Sequence, residues 1–241
     1  MTARTARIGL GIAALAVALV GCASTPATTG GTSTAPSDDE TTEIEVDAAW
    51  LDEGRMIGLV TWGSSSCVPT AGETAMLDNG ALVVELIEVE GDTPCTADQA
   101  PRVTLVGVPE AVDPTQDLEI EVTGEGIVGD TDLEGVPGLD PTNTAAEYAP
   151  SAGWTDEDGV FALLTWGSST CAPVISGVAP TAADEVTVTF ETPPADQVCT
   201  MDMAPRATLA FVEGLEVEDS ITAVLDGDEF AGTRIPIYGS N

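Results

Sequence analysis

Five cysteines, Cys22, Cys67, Cys95, Cys171 and Cys199, carry most of the chemistry open to this chain. Four of them fall inside a repeat. Thr61 to Pro69 (Thr-Trp-Gly-Ser-Ser-Ser-Cys-Val-Pro) returns as Thr165 to Pro173, and Cys95 to Arg102 (Cys-Thr-Ala-Asp-Gln-Ala-Pro-Arg) returns as Cys199 to Arg206. Both blocks are displaced by 104 residues. One module has been duplicated, and each copy carries one cysteine pair. Equal spacing in the two copies argues for disulfides within each copy, Cys67–Cys95 and Cys171–Cys199. A structural zinc site would want four Cys or His ligands, and the chain has no histidine. An active dithiol is typically Cys-x-x-Cys, a spacing absent here. Closing a loop of about 29 residues contributes roughly 3.5 kcal/mol in the chain-entropy picture.

The repeated loops also hold the polar residues that a ligand would meet. Arg102 and Arg206 are rare cations, and a guanidinium can fork onto a carboxylate ligand. Ser64, Ser168, Asp98 and Asp202 lie in the same blocks, and these six residues form the candidate binding set. The competing reading is architectural. Each arginine would pair with a nearby acid such as Asp98 or Asp202, and the hydroxyls would satisfy loop backbone groups.

The chain contains 41 acidic and 6 basic residues, for a formal charge of −35. All six cations are arginine. Without His or Lys no Ser-His-Asp triad, Cys-His pair, Ser-Lys dyad or Schiff base can form. No catalytic residues are assigned. Paired carboxylates could support glycoside hydrolysis, but with so many acids a close pair carries almost no specificity. Nucleic acid is excluded as a partner, because no basic stripe exists to neutralise phosphates. The charge suits a self-repelling, soluble surface, or attraction of cations or a basic partner. Asp156-Glu157-Asp158-Gly159, Asp226-Gly227-Asp228-Glu229 and Asp130-Thr131-Asp132-Leu133-Glu134 read as oxygen-rich turns to which Ca²⁺ is suited. None completes a calcium-loop pattern, so no metal ligand and no cofactor is assigned.

The N-terminus addresses the compartment. Arg4 and Arg7 precede an apolar run from Ile8 to Val20, shorter than the ~20 residues of a membrane helix. It reads as an export signal. It ends in Leu19-Val20-Gly21-Cys22, which resembles the lipobox of bacterial lipoproteins. That resemblance implies removal of residues 1–21 and acylation of Cys22, the odd cysteine. The alternative is an ordinary secretory signal cut beyond Cys22. With Arg4 and Arg7 removed, the formal charge of −35 deepens by two, to −37. Residues 22–46 are rich in Ser, Thr, Ala, Pro and Gly and read as a disordered tether. The expected localisation is the extracytoplasmic face of the cell membrane, held by lipid at Cys22.

The remainder reads as all-β: two tandem small β-sandwich modules, Ig-like or similar, at 47–135 and 151–241, joined by a turn-rich linker at 136–150. Strands are expected near 55–62, 71–77, 81–90, 102–108 and 117–123. In the second copy they fall near 159–166, 175–179, 184–191, 205–212, 220–226 and 229–237. Val186, Val188 and Phe190 alternate with Thr187, Thr189 and Glu191, so one face is buried and one is wet. Val160 to Trp166 is apolar on both faces, as in a central strand. Leu118, Ile120 and Val122 match Ile221, Ala223 and Leu225 with a one-residue slip, assigned to the preceding loop. All four phenylalanines lie in the second copy, which should have the bulkier core.

The constellation Trp-Gly-Ser-Ser-x-Cys-x-Pro, followed by Cys-Thr-x-Asp-x-Ala-Pro-Arg, resembles a module of uncharacterised exported proteins and lipoproteins of high-GC Gram-positive bacteria. The resemblance covers residues 50–130 and 154–235 and brings no activity with it. The expected function is display of two non-catalytic modules that bind an envelope protein or ligand. The alternatives are a spacer without a ligand, or a carboxylate-dependent hydrolase.

Overall fold

The computed structural model describes residues 41–89, 91, 93–215 and 220–240. It is all-β apart from two single-turn 3₁₀ segments at 52–54 and 144–146. The first module contains β1 (Thr42–Glu43), β2 (Val46–Leu51), β3 (Met56–Gly63), β4 (Thr70–Met76), β5 (Leu82–Ile87), β6 (Ala100–Gly107), β7 (Leu118–Gly124) and β8 (Ile127–Leu133). The second contains β9 (Ser151–Trp154), β10 (Val160–Gly167), β11 (Ile175–Ala182), β12 (Glu185–Phe190), β13 (Ala204–Phe211), β14 (Thr222–Asp226) and β15 (Thr233–Tyr238). Strands β2 to β8 and β9 to β15 follow one connectivity, including the parallel pairs β5–β7 and β12–β14.

In the first module a sheet ordered β1-β8-β7-β5-β4 faces a sheet ordered β2-β3-β6. Between them lie Trp50, Ile57, Leu59, Leu82, Val84, Val106, Ile120 and Val122. In the second module the corresponding strands are continuous, because β15 pairs with β9. Its core holds Trp154, Phe161, Leu163, Val186, Val188, Phe190, Leu225 and Phe230. Trp154 meets Phe161 edge-on at 5.1 Å, and Phe190 meets Phe230 at 4.5 Å. Phe211 departs from the expected core, since its position at the end of β13 leaves it 48% exposed. The slip in the fifth strand is real. Leu82 pairs with Ile120 and Val186 with Ala223, so β14 is offset by 103 where β12 is offset by 104. The apolar alternation is thereby kept on the core face.

Residues 41–46, expected in the tether, already contain β1 and the first residue of β2. Strands β2, β8 and β9 also lie outside the expected set. Val-Asp-Ala-Ala-Trp-Leu and Ser-Ala-Gly-Trp are poor in β-branched residues, and Ile-Val-Gly-Asp-Thr-Asp-Leu is interrupted by Gly129, Asp130 and Asp132 where a strand usually holds bulk. Tertiary packing supplies what propensity does not. All six residues of β2 are buried.

That burial has a specific cause. A third apolar cluster, formed by Ala49, Leu51, Ala162 and Leu164 with Met56, Val103, Leu105, Trp166 and Leu209, draws on β2, β3 and β6 of one module and β10 and β13 of the other. The central strands are apolar on both faces because one face meets its own core and the other meets the neighbouring module. The approach is close: a β-carbon on Gly153 would stand 2.2 Å from the carbonyl oxygen of Trp50. Two of the hydrogen bonds that cross the junction are related by the repeat. Asp52 N–H donates to Ser151 Oγ at 2.8 Å, and Asp156 N–H donates to Asp47 Oδ1 at 3.0 Å. Under the 104-residue offset Asp52 corresponds to Asp156 and Asp47 to Ser151. The two bonds are therefore mates, and the modules meet through the same face in the manner of an isologous dimer.

Candidate functional site

Both expected disulfides are present, Cys67–Cys95 and Cys171–Cys199, with Cα separations of 5.5 and 5.6 Å. Each ties the loop after a central strand to the loop before β6 or β13. The bonds mark a chain that matures in an oxidising, extracytoplasmic compartment. Among the described residues no helix is long and apolar enough to cross a membrane. Cys22 and the segment expected to be an export signal lie outside the described residues.

The six candidate residues are brought together beside the two bridges, in two near-copies. Arg102 Nη1 donates to the carbonyl oxygen of Cys67 at 2.6 Å, and Arg206 Nη1 to that of Cys171 at 3.0 Å. Arg206 Nη2 also donates to the Trp166 carbonyl oxygen at 2.8 Å. The carboxylate partners differ from the expected Asp98 and Asp202. Arg102 reaches Glu88 at 3.4 Å and Arg206 reaches Glu229 at 2.9 Å. These two glutamates are not equivalent under the repeat, whereas the cysteine carbonyl is. The shared task of the arginine is thus to hold the loop backbone. Both side chains are about nine-tenths buried, and in each the Nε is buried without a partner among the described residues.

The remaining motif residues form a hydroxyl knot. Ser64 Oγ lies 2.8 Å from Thr96 Oγ1, and Ser168 Oγ lies 2.8 Å from Thr200 Oγ1. Ser66 Oγ accepts from Thr96 N–H at 3.0 Å, and Thr170 Oγ1 accepts from Thr200 N–H at 3.1 Å. Asp98 accepts from Ser65 N–H at 3.2 Å, and Asp202 from Ser169 N–H at 3.1 Å and from the Thr200 hydroxyl. Hydrogen bonds from Thr96 and Ser65 hold the Asp98 carboxyl down at about 2. Those from Thr200 and Ser169 hold Asp202 at about 2. Such carboxylates are poor bases; the Ser65 and Ser169 hydroxyls donate to them, while Ser64 and Ser168 face threonine hydroxyls. The knot therefore lacks a partner able to activate a nucleophile.

The acidic segments weighed for calcium separate on inspection. Asp130 and Asp132 are exposed positions of β8, so that segment is strand and not turn. Its acids alternate along an extended chain and do not converge. Asp226-Gly227-Asp228-Glu229 turns between β14 and β15, and Glu229 is occupied by Arg206. Among the described residues no three His, Cys, Asp or Glu side chains are placed to hold a metal ion.

Two open cavities adjoin these features. One, of about 230 Å³, lies against the second bridge and is lined by Pro173, Pro193, Pro194, Gln197, Arg206 and Glu229, among others. Val174, Val198, Met201 and Met203 are exposed on the neighbouring loops. Their counterparts in the first module are Thr70, Pro94, Ala97 and Gln99. The other cavity, of about 380 Å³, lies at the edge of the module junction and is lined by Glu45, Val46, Asp47, Trp62, Asp156 and Glu157. Sequence reasoning missed it, because its walls come from two segments, 45–62 and 156–157, that lie far apart in the chain. The recurrence of Trp62 as Trp166 was the available signal.

Set beside known proteins, the chain stands apart. No family model, curated protein or solved structure matches it.

Proposed function

We propose that this chain is a lipoprotein held at the outer face of the cell membrane through Cys22, displaying a two-module β body that binds a basic envelope partner without catalysis. The observation that carries the reading is how the repeated polar residues are used. Arg102, Arg206, Asp98, Asp202, Ser64 and Ser168 bond to loop backbone and to one another. They rigidify two disulfide-tied tips on one body, and the carboxylates beside the hydroxyls are weak bases. The excess of acids favours a cationic partner through long-range attraction. Acyl chains on Cys22 would supply anchoring that this charge cannot, since each buried CH₂ contributes about 0.8 kcal/mol.

Fractionation and crosslinking test the reading together. The wild-type chain is expected in the membrane fraction, and Cys22→Ala in the soluble exported fraction. Crosslinking on intact cells is expected to recover a defined basic protein with the wild-type chain. Equal partitioning of the two forms would remove the anchor. Recovery of no partner above background would leave a spacer.

A further inference from the structure

We infer that the cavity at Trp62 is a receptor for an arginine side chain supplied by the partner. The proposal deepens the binding function above and names its chemistry.

The pseudo-symmetry of the junction provides a filled copy of the site. The repeat offset matches Asp156, Glu157 and Trp62 with Asp52, Glu53 and Trp166. At the Asp52 end the chain supplies its own guanidinium. Arg55 Nη2 and Nε donate to Asp52 Oδ1 and Oδ2 at 2.6 and 2.9 Å, a forked pair, and Nη1 reaches the Asn143 carbonyl oxygen at 3.0 Å. The Tyr148 ring closes over Trp166 edge-on, 5.1 Å between centroids. At the other end the same offset places Asp156, Glu157 and Trp62. The residue corresponding to Arg55 is Gly159, and the residue corresponding to Tyr148 is Ile44. Neither of these two residues supplies a guanidinium or an aromatic ring at the second end, where a cavity of about 380 Å³ opens beside Trp62, Asp156 and Glu157.

The open end is also more acidic than the filled one. Asp47 replaces Ser151, and it is only 8% exposed. Its Oδ1 accepts from Ala48 N–H and Asp156 N–H, and the residue lines the cavity. Glu45, Asp156 and Glu157 complete the rim. Partial burial and the neighbouring Asp47, Glu134 and Asp132 raise the Asp156 carboxyl above the ordinary range, as expected where acids crowd without a counter-ion. No cation of the described chain can relieve them. Arg55, Arg102, Arg206 and Arg234 are paired with Asp52, Glu88, Glu229 and Glu185. The carboxylates do not converge as metal ligands. A planar guanidinium suits both walls, since it forks onto carboxylate and stacks on indole.

The test is a titration of the ¹⁵N-labelled exported chain with N-acetyl-arginine amide, following the four indole N–H signals. N-acetyl-lysine amide and the neutral N-acetyl-norleucine amide are the comparison probes. The expected result is a saturable shift of the Trp62 signal by the arginine probe, with Trp50 and Trp154 unmoved. Lysine should bind more weakly, and norleucine should produce no saturable shift. Asp156→Asn and Glu157→Gln are exposed changes that leave the junction bond intact, because Asp156 contributes its backbone there. Each should weaken the arginine probe about tenfold, the loss of one charge-assisted hydrogen bond. Equal shifts by norleucine, undiminished binding in both variants, or parallel movement of all four signals would overturn the proposal. Failure here with anchoring and crosslinking intact removes the cavity alone. Probe binding by a chain that is not membrane-held removes the anchor alone.

Discussion

Arg102 lies flat against Gly63. A β-carbon at residue 63 would stand 2.6 Å from the guanidinium carbon, and the same relationship holds at 2.8 Å between Gly167 and Arg206. The glycine after each repeated tryptophan thus leaves room for the arginine that closes the second half of the motif. Thirty-nine residues of sequence separate the two, and the disulfide lies between them. Gly63→Ala is expected to push Arg102 off the Cys67 carbonyl and to cost about 1–3 kcal/mol, the usual range for overpacking. Denaturant melts of G63A and R102A check this. Two losses that fail to add would show the residues acting as one unit, and a fully additive double mutant would speak against it.

The modules share an apolar junction, so they should not melt separately. Calorimetry of the exported chain is expected to show one transition, with calorimetric and van't Hoff enthalpies in agreement. Leu164→Ala, which empties part of the junction, should cost about 2–5 kcal/mol. It should lower the stability of both modules, as read by exchange at amides of β5 and of β12. Destabilisation confined to the second module would show that the junction is not coupling them.

Gly153→Ala probes the closest approach across the junction, where β9 meets the Trp50 carbonyl. Backbone does not yield as a side chain end does, so the change is expected to cost more than the same substitution at an exposed turn such as Gly138, whose left-handed φ of 97° brings only local strain. A smaller loss at 153 than at 138, by chemical denaturation, would contradict the geometry.

Acid should loosen the disulfide tips first. Asp98 and Asp202 have ordinary values of 3.8 and are held at about 2 in the folded chain. A carboxyl that is more acidic when folded stabilises the fold above its unfolded value. That contribution fades as pH falls from about 4 towards 2. Carboxyl titration by NMR should find both groups half-protonated near the lower limit. Thr96→Val should return Asp98 towards 3.8, because the Thr96 hydroxyl is the largest influence on it. Ordinary titration of Asp98 in the wild-type chain would remove the knot as described.

Much of this architecture was legible in the sequence. A fixed offset paired Cys67 with Cys95 and Cys171 with Cys199, and alternation at Val186, Val188 and Phe190 placed the core face of β12. The one-residue slip before β14 could be read from Ile221, Ala223 and Leu225. Less was legible where burial depended on a partner surface. The doubly apolar run from Val160 to Trp166 announced that both faces are covered, but nothing local says by what. Ala49, Gly153 and Asp47 look like loop residues until the second module is packed on them, so β2 and β9 escaped notice. Glu88 and Glu229 were missed as arginine partners because they occupy different places in the two copies, and a repeat directs attention to what recurs. The Trp62 cavity was invisible for the converse reason. It exists through the differences between the copies, Gly159 for Arg55 and Asp47 for Ser151.

The intact mass of the chain recovered from membranes tests the anchored, disulfide-tied account most directly. The account predicts residues 22–241 carrying acyl groups on Cys22, with two bridges that add four hydrogens on reduction. An unacylated chain that begins elsewhere, or one whose mass is unchanged by reductant, would contradict it.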